Sequence, residues 1–208
     1  MRGPDPQKID AVVDLVLALP EAQLRHRVCV VGAPGSGKST FAAALVRRLA
    51  QRRATAALVP MDGFHLDNAI LAARGLLARK GAPETFDAHG FIAMVERLGR
   101  DEEVFVPVFD RARDIAIAGA SAITADTGIA VIEGNYLLLK EAPWSALHDM
   151  WDFSVYLDES EDILRRRLIQ RWLDHGLSID AARRRAETND LPNARRVLEN
   201  SQQAAFTV

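Results

Sequence analysis

The chain has 208 residues, 49% of them apolar, a formal net charge of −2 and a single cysteine. That length and apolar content suit one α/β domain with a buried sheet. The charge balance excludes the electrostatic footprint of a nucleic-acid binder, and one cysteine excludes a disulfide framework or a cysteine-based metal site within the chain. No apolar run approaches the roughly 18 residues of a membrane span. Asp10 and Asp14 interrupt the first apolar stretch, which argues against a secretory signal. A soluble, cytoplasmic protein with no membrane partner is the expectation.

Residues 1–7 are rich in Pro and Gly and read as a frayed end. Ile9, Val12, Val13, Val16 and Leu19 follow at helical spacing up to Pro20, predicting an amphipathic helix over 8–19. The run Val28-Cys29-Val30-Val31 predicts the first buried strand. It leads into Gly32-Ala33-Pro34-Gly35-Ser36-Gly37-Lys38-Ser39-Thr40, and a helix follows whose Phe41, Leu45 and Leu49 form an apolar stripe. A strand, a Gly-x4-Gly-Lys-Ser loop and a helix together constitute the phosphate-binding arrangement. Its glycines let backbone N–H groups approach phosphate oxygens, and the helix N-terminus adds positive charge. Lys38 reaches the outer phosphates of ATP. The hydroxyl of Ser39 is a candidate ligand for Mg²⁺.

The second strand is expected over 55–61, leading into Asp62-Gly63-Phe64-His65. One helix and one strand after Lys38, Asp62 returns to the same edge of a parallel sheet, where ligands bind. There it can accept a proton from a hydroxyl or contact the metal, and a helix cap is the plainer alternative. His65 is a candidate contact of the acceptor, or else a packing residue at the start of a helix. His26, His89, His148 and His175 form no spaced metal set. Residues 76–90 read as a loop, and 88–99 as a helix with Phe91, Met94, Val95 and Leu98 on one face. Val104–Phe109 reads as an extended edge segment, because Pro107 argues against a central strand. A charged turn, Asp110–Asp114, precedes short alternating runs near 115–124. The interval 79–124 is taken as an insertion carrying a substrate lobe.

Ile129–Ile132 is the next buried strand and ends at Glu133, where an acidic residue can organise Mg²⁺. Phe153–Leu157 is another strand. An arginine-rich lid over 160–176 holds Arg165, Arg166, Arg167 and Arg171, with Arg167 and Arg171 on one face. Such a helix can close over a triphosphate. Helices near 178–188 and 192–200 flank Thr188–Ala194, and Ala204–Val208 is read as the last strand. The sheet is therefore expected from strands near 28–31, 56–61, 129–132, 153–157 and 204–208. The fold expected is a three-layer P-loop nucleoside triphosphate hydrolase fold, mostly parallel and five-stranded with a helical lid, filling 1–208 as one domain.

Five segments resemble the phosphoribulokinase/uridine kinase family, which includes bacterial pantothenate kinase. In order they are Gly32–Thr40, Met61–His65, Pro107–Asp110, Ile132–Tyr136 and the arginine lid. Within the family, Asp62–Asn68, Lys80–Asp87, Glu133–Leu139 and Asn189–Asn193 look like the bacterial proteins labelled fructose transport system kinase or nucleoside/nucleotide kinase family protein. The resemblance covers nearly the whole chain. It implies that Asp62 is a catalytic base and Glu133 a metal-organising glutamate. It places Asp110 and Arg113 in the acceptor segment, Arg167 and Arg171 in the lid, and Asn193 near the adenine pocket. Phe109, Asn135 and Tyr136 join them as acceptor candidates. Uridine kinases carry Tyr where Phe109 stands, with a His downstream that is missing here, and the Tyr-Ser-His of pantothenate kinase is also missing. A sugar-like polyol such as fructose suits the polar set Asp62, His65, Asp110 and Arg113 better. The resemblance thus implies ATP, Mg²⁺ and a small hydroxyl acceptor, and relatives that are often dimers allow a homodimer. A nucleoside or pantothenate-type kinase is the alternative. A nucleotide-binding regulatory switch is the alternative of another class, and it would need neither Asp62 nor an acceptor lobe.

Overall fold

The computed structural model describes residues 3–208. At its centre lies β1 (His26–Gly32), an apolar run with no exposed residue. It pairs in parallel with β5 (Ile129–Gly134) on one side and β6 (Phe153–Leu157) on the other. β2 (Ala56–Pro60) pairs with β5, and β7 (Phe206–Thr207) with β6, giving the all-parallel order β2-β5-β1-β6-β7. Strands covered on both faces read as continuous apolar runs rather than alternating ones, as the sequence of β1 and β5 does.

Alternate side chains of these strands enter opposite layers. Val28, Val30, Ile129 and Val131 pack with α1 (Pro6–Leu17) and α2 (Lys38–Gln51) through Val12, Val16, Phe41, Leu45 and Leu49. Cys29, Val31, Ala130 and Ile132 face the other layer. That layer holds α4 (Ala88–Leu98), α5 (Glu161–Asp174) and α7 (Leu191–Asn200), which contribute Phe91, Leu98, Leu164, Leu168 and Val197. The five expected strands, the stripe of α2 and the buried face of α4 all lie where the sequence places them. At roughly 25 cal/mol per Å² of apolar surface, each fully buried Leu or Phe contributes about 2–3 kcal/mol.

Several boundaries differ from expectation. Strand β2 ends at Pro60, and Met61–Phe64 forms a 3₁₀ turn. The helix start allowed for at Asp62 or His65 falls further on: α3 (Asn68–Ala73) is capped by Asp67, which accepts the N–H of Ala69 at 2.8 Å. The break expected between the last two helices is absent. α6 (Ile179–Arg185) continues through a π-helical turn, Ala186–Asp190, directly into α7. The interval 79–124 divides in two. Its helix α4 joins the core, while β3 (Val104–Asp110) and β4 (Ile115–Ile123) form a separate antiparallel hairpin. Pro107 falls at a register shift between Val106 and Val108, where a missing N–H is tolerated. The hairpin rests on the 3₁₀ turn so closely that a Cβ at Gly63 would collide with the Pro107 carbonyl. Among the described residues no helix is long and apolar enough to cross a membrane.

Candidate active site

The carboxyl ends of β1, β2 and β5 open into a cavity of about 640 Å³. Its floor is the phosphate-binding loop. Gly35 and Gly37 take φ of +86° and +94°, which favour glycine, and Gly37 sits at the N-cap of α2. Gly32, Ala33 and Ser36 form the buried inner bend. A Cβ on Gly32 would come within 2.5 Å of Ser36 Oγ. Pro34, Gly35, Gly37, Lys38, Ser39 and Thr40 line the cavity itself. The positive end of the 14-residue α2 therefore points into a cradle of backbone donors.

Two carboxylates face this floor. Glu133, at the end of β5, is 4% exposed, and its Oε1 accepts the Ser39 hydroxyl at 3.1 Å. Its Oε2 has no hydrogen-bond partner among the described residues. Burial pushes the Glu133 carboxyl up and the Lys38 ammonium down, while attraction between the two opposes both shifts. A buried carboxylate oxygen without a donor, beside a hydroxyl, is the donor set a hard divalent cation takes up. Ser39 and Glu133 thus fit Mg²⁺. The second carboxylate, Asp62, leaves the end of β2 on the 3₁₀ turn. Its Oδ2 accepts from Arg111 Nη2 at 2.5 Å.

The far wall is aromatic. His65 stacks on Phe86 with ring centroids 4.0 Å apart and tilts against Phe109 at 4.8 Å. Burial holds the His65 imidazolium down at about 4, so the ring is neutral near pH 7. Lys80 Nζ lies 5.2 Å over the Phe109 ring and pairs with Asp114 at 2.8 Å. The near wall is α5 and the helices after it. Arg171 faces the cavity, and burial followed by repulsion from Arg111 lowers its proton affinity. Trp172 lies between Arg171 and Arg185, whose guanidinium carbons are 5.7 and 5.3 Å from the ring, and its Nε1 donates to Asp190 at 2.5 Å.

The expected site residues separate into two groups. Lys38, Ser39, Asp62, His65, Phe109, Asn135, Arg167, Arg171 and Asn193 come together around the cavity. Arg167 is already engaged there, donating to the carbonyls of Gly35 and Ser36 at 3.2 and 3.1 Å and pairing with Glu159. Asn193 is 2% exposed and accepts from Arg79. Tyr136 is instead a core residue. It is fully buried against Phe86 and Trp144, and its hydroxyl donates to the Gly81 carbonyl. Asp110 and Arg113 are brought to each other, at 2.7 Å, rather than to the cavity.

Arg111, Lys80, Phe86, Trp172, Arg185 and Asp190 were not expected. Arg111 lies between Asp110 and Arg113 in the sequence. Spacing within a five-residue charged turn does not say which side chain points inward. Trp172 has a signal in the sequence, its place beside the lid residue Arg171.

The model of the phosphoribulokinase/uridine kinase family matches residues 28–205. A solved structure described as a putative fructose transport system kinase, from Silicibacter sp. TM1040, is 48% identical with a TM-score of 0.93 and covers 96% of this chain and 98% of its own. The uncharacterized protein YggC of Escherichia coli (strain K12) is 36% identical across 89% of this chain and 78% of its own. Putative uridine kinase C227.14 of Schizosaccharomyces pombe is 32% identical across 95% and 88%. The match spans the loop, both carboxylate-bearing strand ends, the hairpin and the arginine helix, and the chain belongs to the phosphoribulokinase/uridine kinase family as a P-loop kinase, an ATP-dependent phosphotransferase.

Proposed function

We propose that the protein transfers the γ-phosphoryl group of ATP to a hydroxyl of a sugar-sized, polyhydroxy metabolite. The observation that carries this reading is the convergence of Lys38, Ser39–Glu133 and Asp62 on one cavity at the carboxyl edge of the sheet. Lys38 and the loop amides hold the triphosphate. Ser39 and Glu133 hold Mg²⁺, which when bound neutralises charge on the phosphates. Asp62 accepts the proton of the attacking hydroxyl, and Arg171 offsets charge that develops on the transferred group. Arg167 braces α5 against the loop through the Gly35 and Ser36 carbonyls. The β3–β4 hairpin acts as the acceptor lobe and α5 as the lid. Adenine lies toward Asn193, Trp172 and Asp190.

Fructose is the first acceptor to test, because the Silicibacter relative carries that name. The aromatic wall of His65, Phe86 and Phe109 also favours a second reading, stacking of a nucleobase. ADP release with Mg-ATP, across hexoses, pentose phosphates, uridine, cytidine and pantothenate, separates the two. Stimulation by one acceptor that Asp62→Asn abolishes supports the kinase reading. A slow rate that no acceptor raises, equal in both proteins, leaves two options, an acceptor outside this set or a nucleotide-dependent switch.

A further inference from the structure

Resting on that reading, we infer that Arg111 binds an anionic group of the acceptor, so that the substrate is a hydroxy acid or a phosphate ester rather than a neutral sugar. The β3–β4 turn presents this residue by design of its hydrogen bonds. Asp110 Oδ1 accepts the backbone N–H groups of Ala112 and Arg113, both at 3.0 Å, and Asp110 Oδ2 accepts from Arg113 Nε at 2.7 Å. Asp114, at φ +57°, closes the turn and is anchored by Asn68 and Lys80, each at 2.8 Å. The contact of Gly63 with Pro107 seats the hairpin against the turn that carries Asp62. Every charged residue of this turn except Arg111 is thereby neutralised within the hairpin and its supports.

Arg111 alone points back, to Asp62, and among the described residues Asp62 is its only ion-pair partner. One of its five N–H groups is used there, and the side chain is 55% exposed. The other cations near this end are committed. The Lys80 ammonium is bonded to Asp114 and Asn68, and its side chain is 11% exposed. His65 is neutral near pH 7. Lys38 faces Glu133, and Arg171 approaches from the opposite wall.

A hydroxyl that gives its proton to Asp62 competes with Arg111 for that carboxylate. Releasing the guanidinium with no new anion gives up that ion pair for solvent, since the side chain is 55% exposed. An acceptor that brings a carboxylate or phosphate supplies the replacement partner and matches the planar fork of Arg in two bonds. The Asp62–Arg111 pair is then exchanged for Arg111–acceptor as Asp62 turns to the hydroxyl. The anion sits only a few bonds from the reacting hydroxyl.

The test compares matched acceptors, fructose against fructose 1-phosphate and fructose 6-phosphate, and glucitol against gluconate. Each is measured by ADP release, and by calorimetric binding to the protein saturated with a non-hydrolysable ATP analogue and Mg²⁺. Wild type should favour a charged member of a pair by about tenfold or more in kcat/KM or in affinity, the order of one charge-assisted contact. Arg111→Gln should remove that preference chiefly through KM, and Arg111→Lys should restore part of it. The gluconate and phosphate arms tell a carboxylate from a phosphate. Equal or better use of the neutral members, binding of no charged member, or an equal loss in kcat on all acceptors in Arg111→Gln each overturns the inference. The last would make Arg111 a contact of the transferred phosphoryl group. The kinase reading stands or falls separately, on Asp62→Asn with whichever acceptor is turned over.

Discussion

Single side chains carry the chemistry, and three of them make sharp predictions. Asp62→Asn keeps shape and a hydrogen-bond acceptor but loses the proton-accepting charge. Turnover should fall by about 10²–10⁴, the usual contribution of a positioned base, while calorimetric ATP affinity is unchanged. Glu133→Gln replaces the buried oxygen that has no donor with an amide. The Mg²⁺ concentration needed for half-maximal rate should rise at least several-fold, read from a metal titration at fixed ATP. His65 gives a stability test. Its folded pKa of about 4 lies below the ordinary 6.5, so the unfolded chain binds the extra proton between those values. Stability should be fully present above pH 6.5 and decline as pH falls toward 4, by up to about 3 kcal/mol. Urea unfolding across that range checks it, and His65→Gln should flatten the slope.

At the scale of elements, the strand ends and the hairpin decide where those side chains meet. Asp62 was legible because a strand following the α2 crossover must end on the same sheet edge as the loop. Glu133 was legible for the same reason, through β5. The arginine helix was legible from composition, but the division of labour within it was not. Arg167 turns to the Gly35 and Ser36 carbonyls and Arg171 to the cavity because Leu164 and Leu168 pin one face of α5 in the core. The hairpin was the least legible part. Its turn holds four charged residues, Asp110, Arg111, Arg113 and Asp114, and only the Asp110 cap and the Asp114 anchor aim Arg111 at Asp62. Gly63→Ala should expose that dependence. The added Cβ meets the Pro107 backbone, so hairpin and turn must part. Acceptor KM should rise while ATP affinity stays, at about 1–3 kcal/mol of stability lost by overpacking.

For the whole molecule, the nucleotide is part of the stability. A ligand that binds only the folded state at 100 times its Kd adds about 2.7 kcal/mol. For a chain of this size, that is a rise of roughly 5–10 °C in Tm. Mg-ATP should produce it in a thermal melt, and Lys38→Ala should lose most of it. The sequence by itself determined the layered parallel sheet, because strands covered on both faces must be written as continuous apolar runs and their helices as apolar stripes. It determined the phosphate loop, because few residue orders let a backbone wrap an anion. It also determined which strand ends carry acids. Only the tertiary structure decided which neighbours those acids have. Tyr136 went to the core and Asp110 and Arg113 to each other, while Arg111, Phe86 and Trp172 came to the cavity. The reason is that side-chain direction at a turn, or at the end of a buried strand, is set by contacts with residues distant in sequence. Gly63 against Pro107 and Tyr136 against Gly81 are such contacts, and no local spacing encodes them.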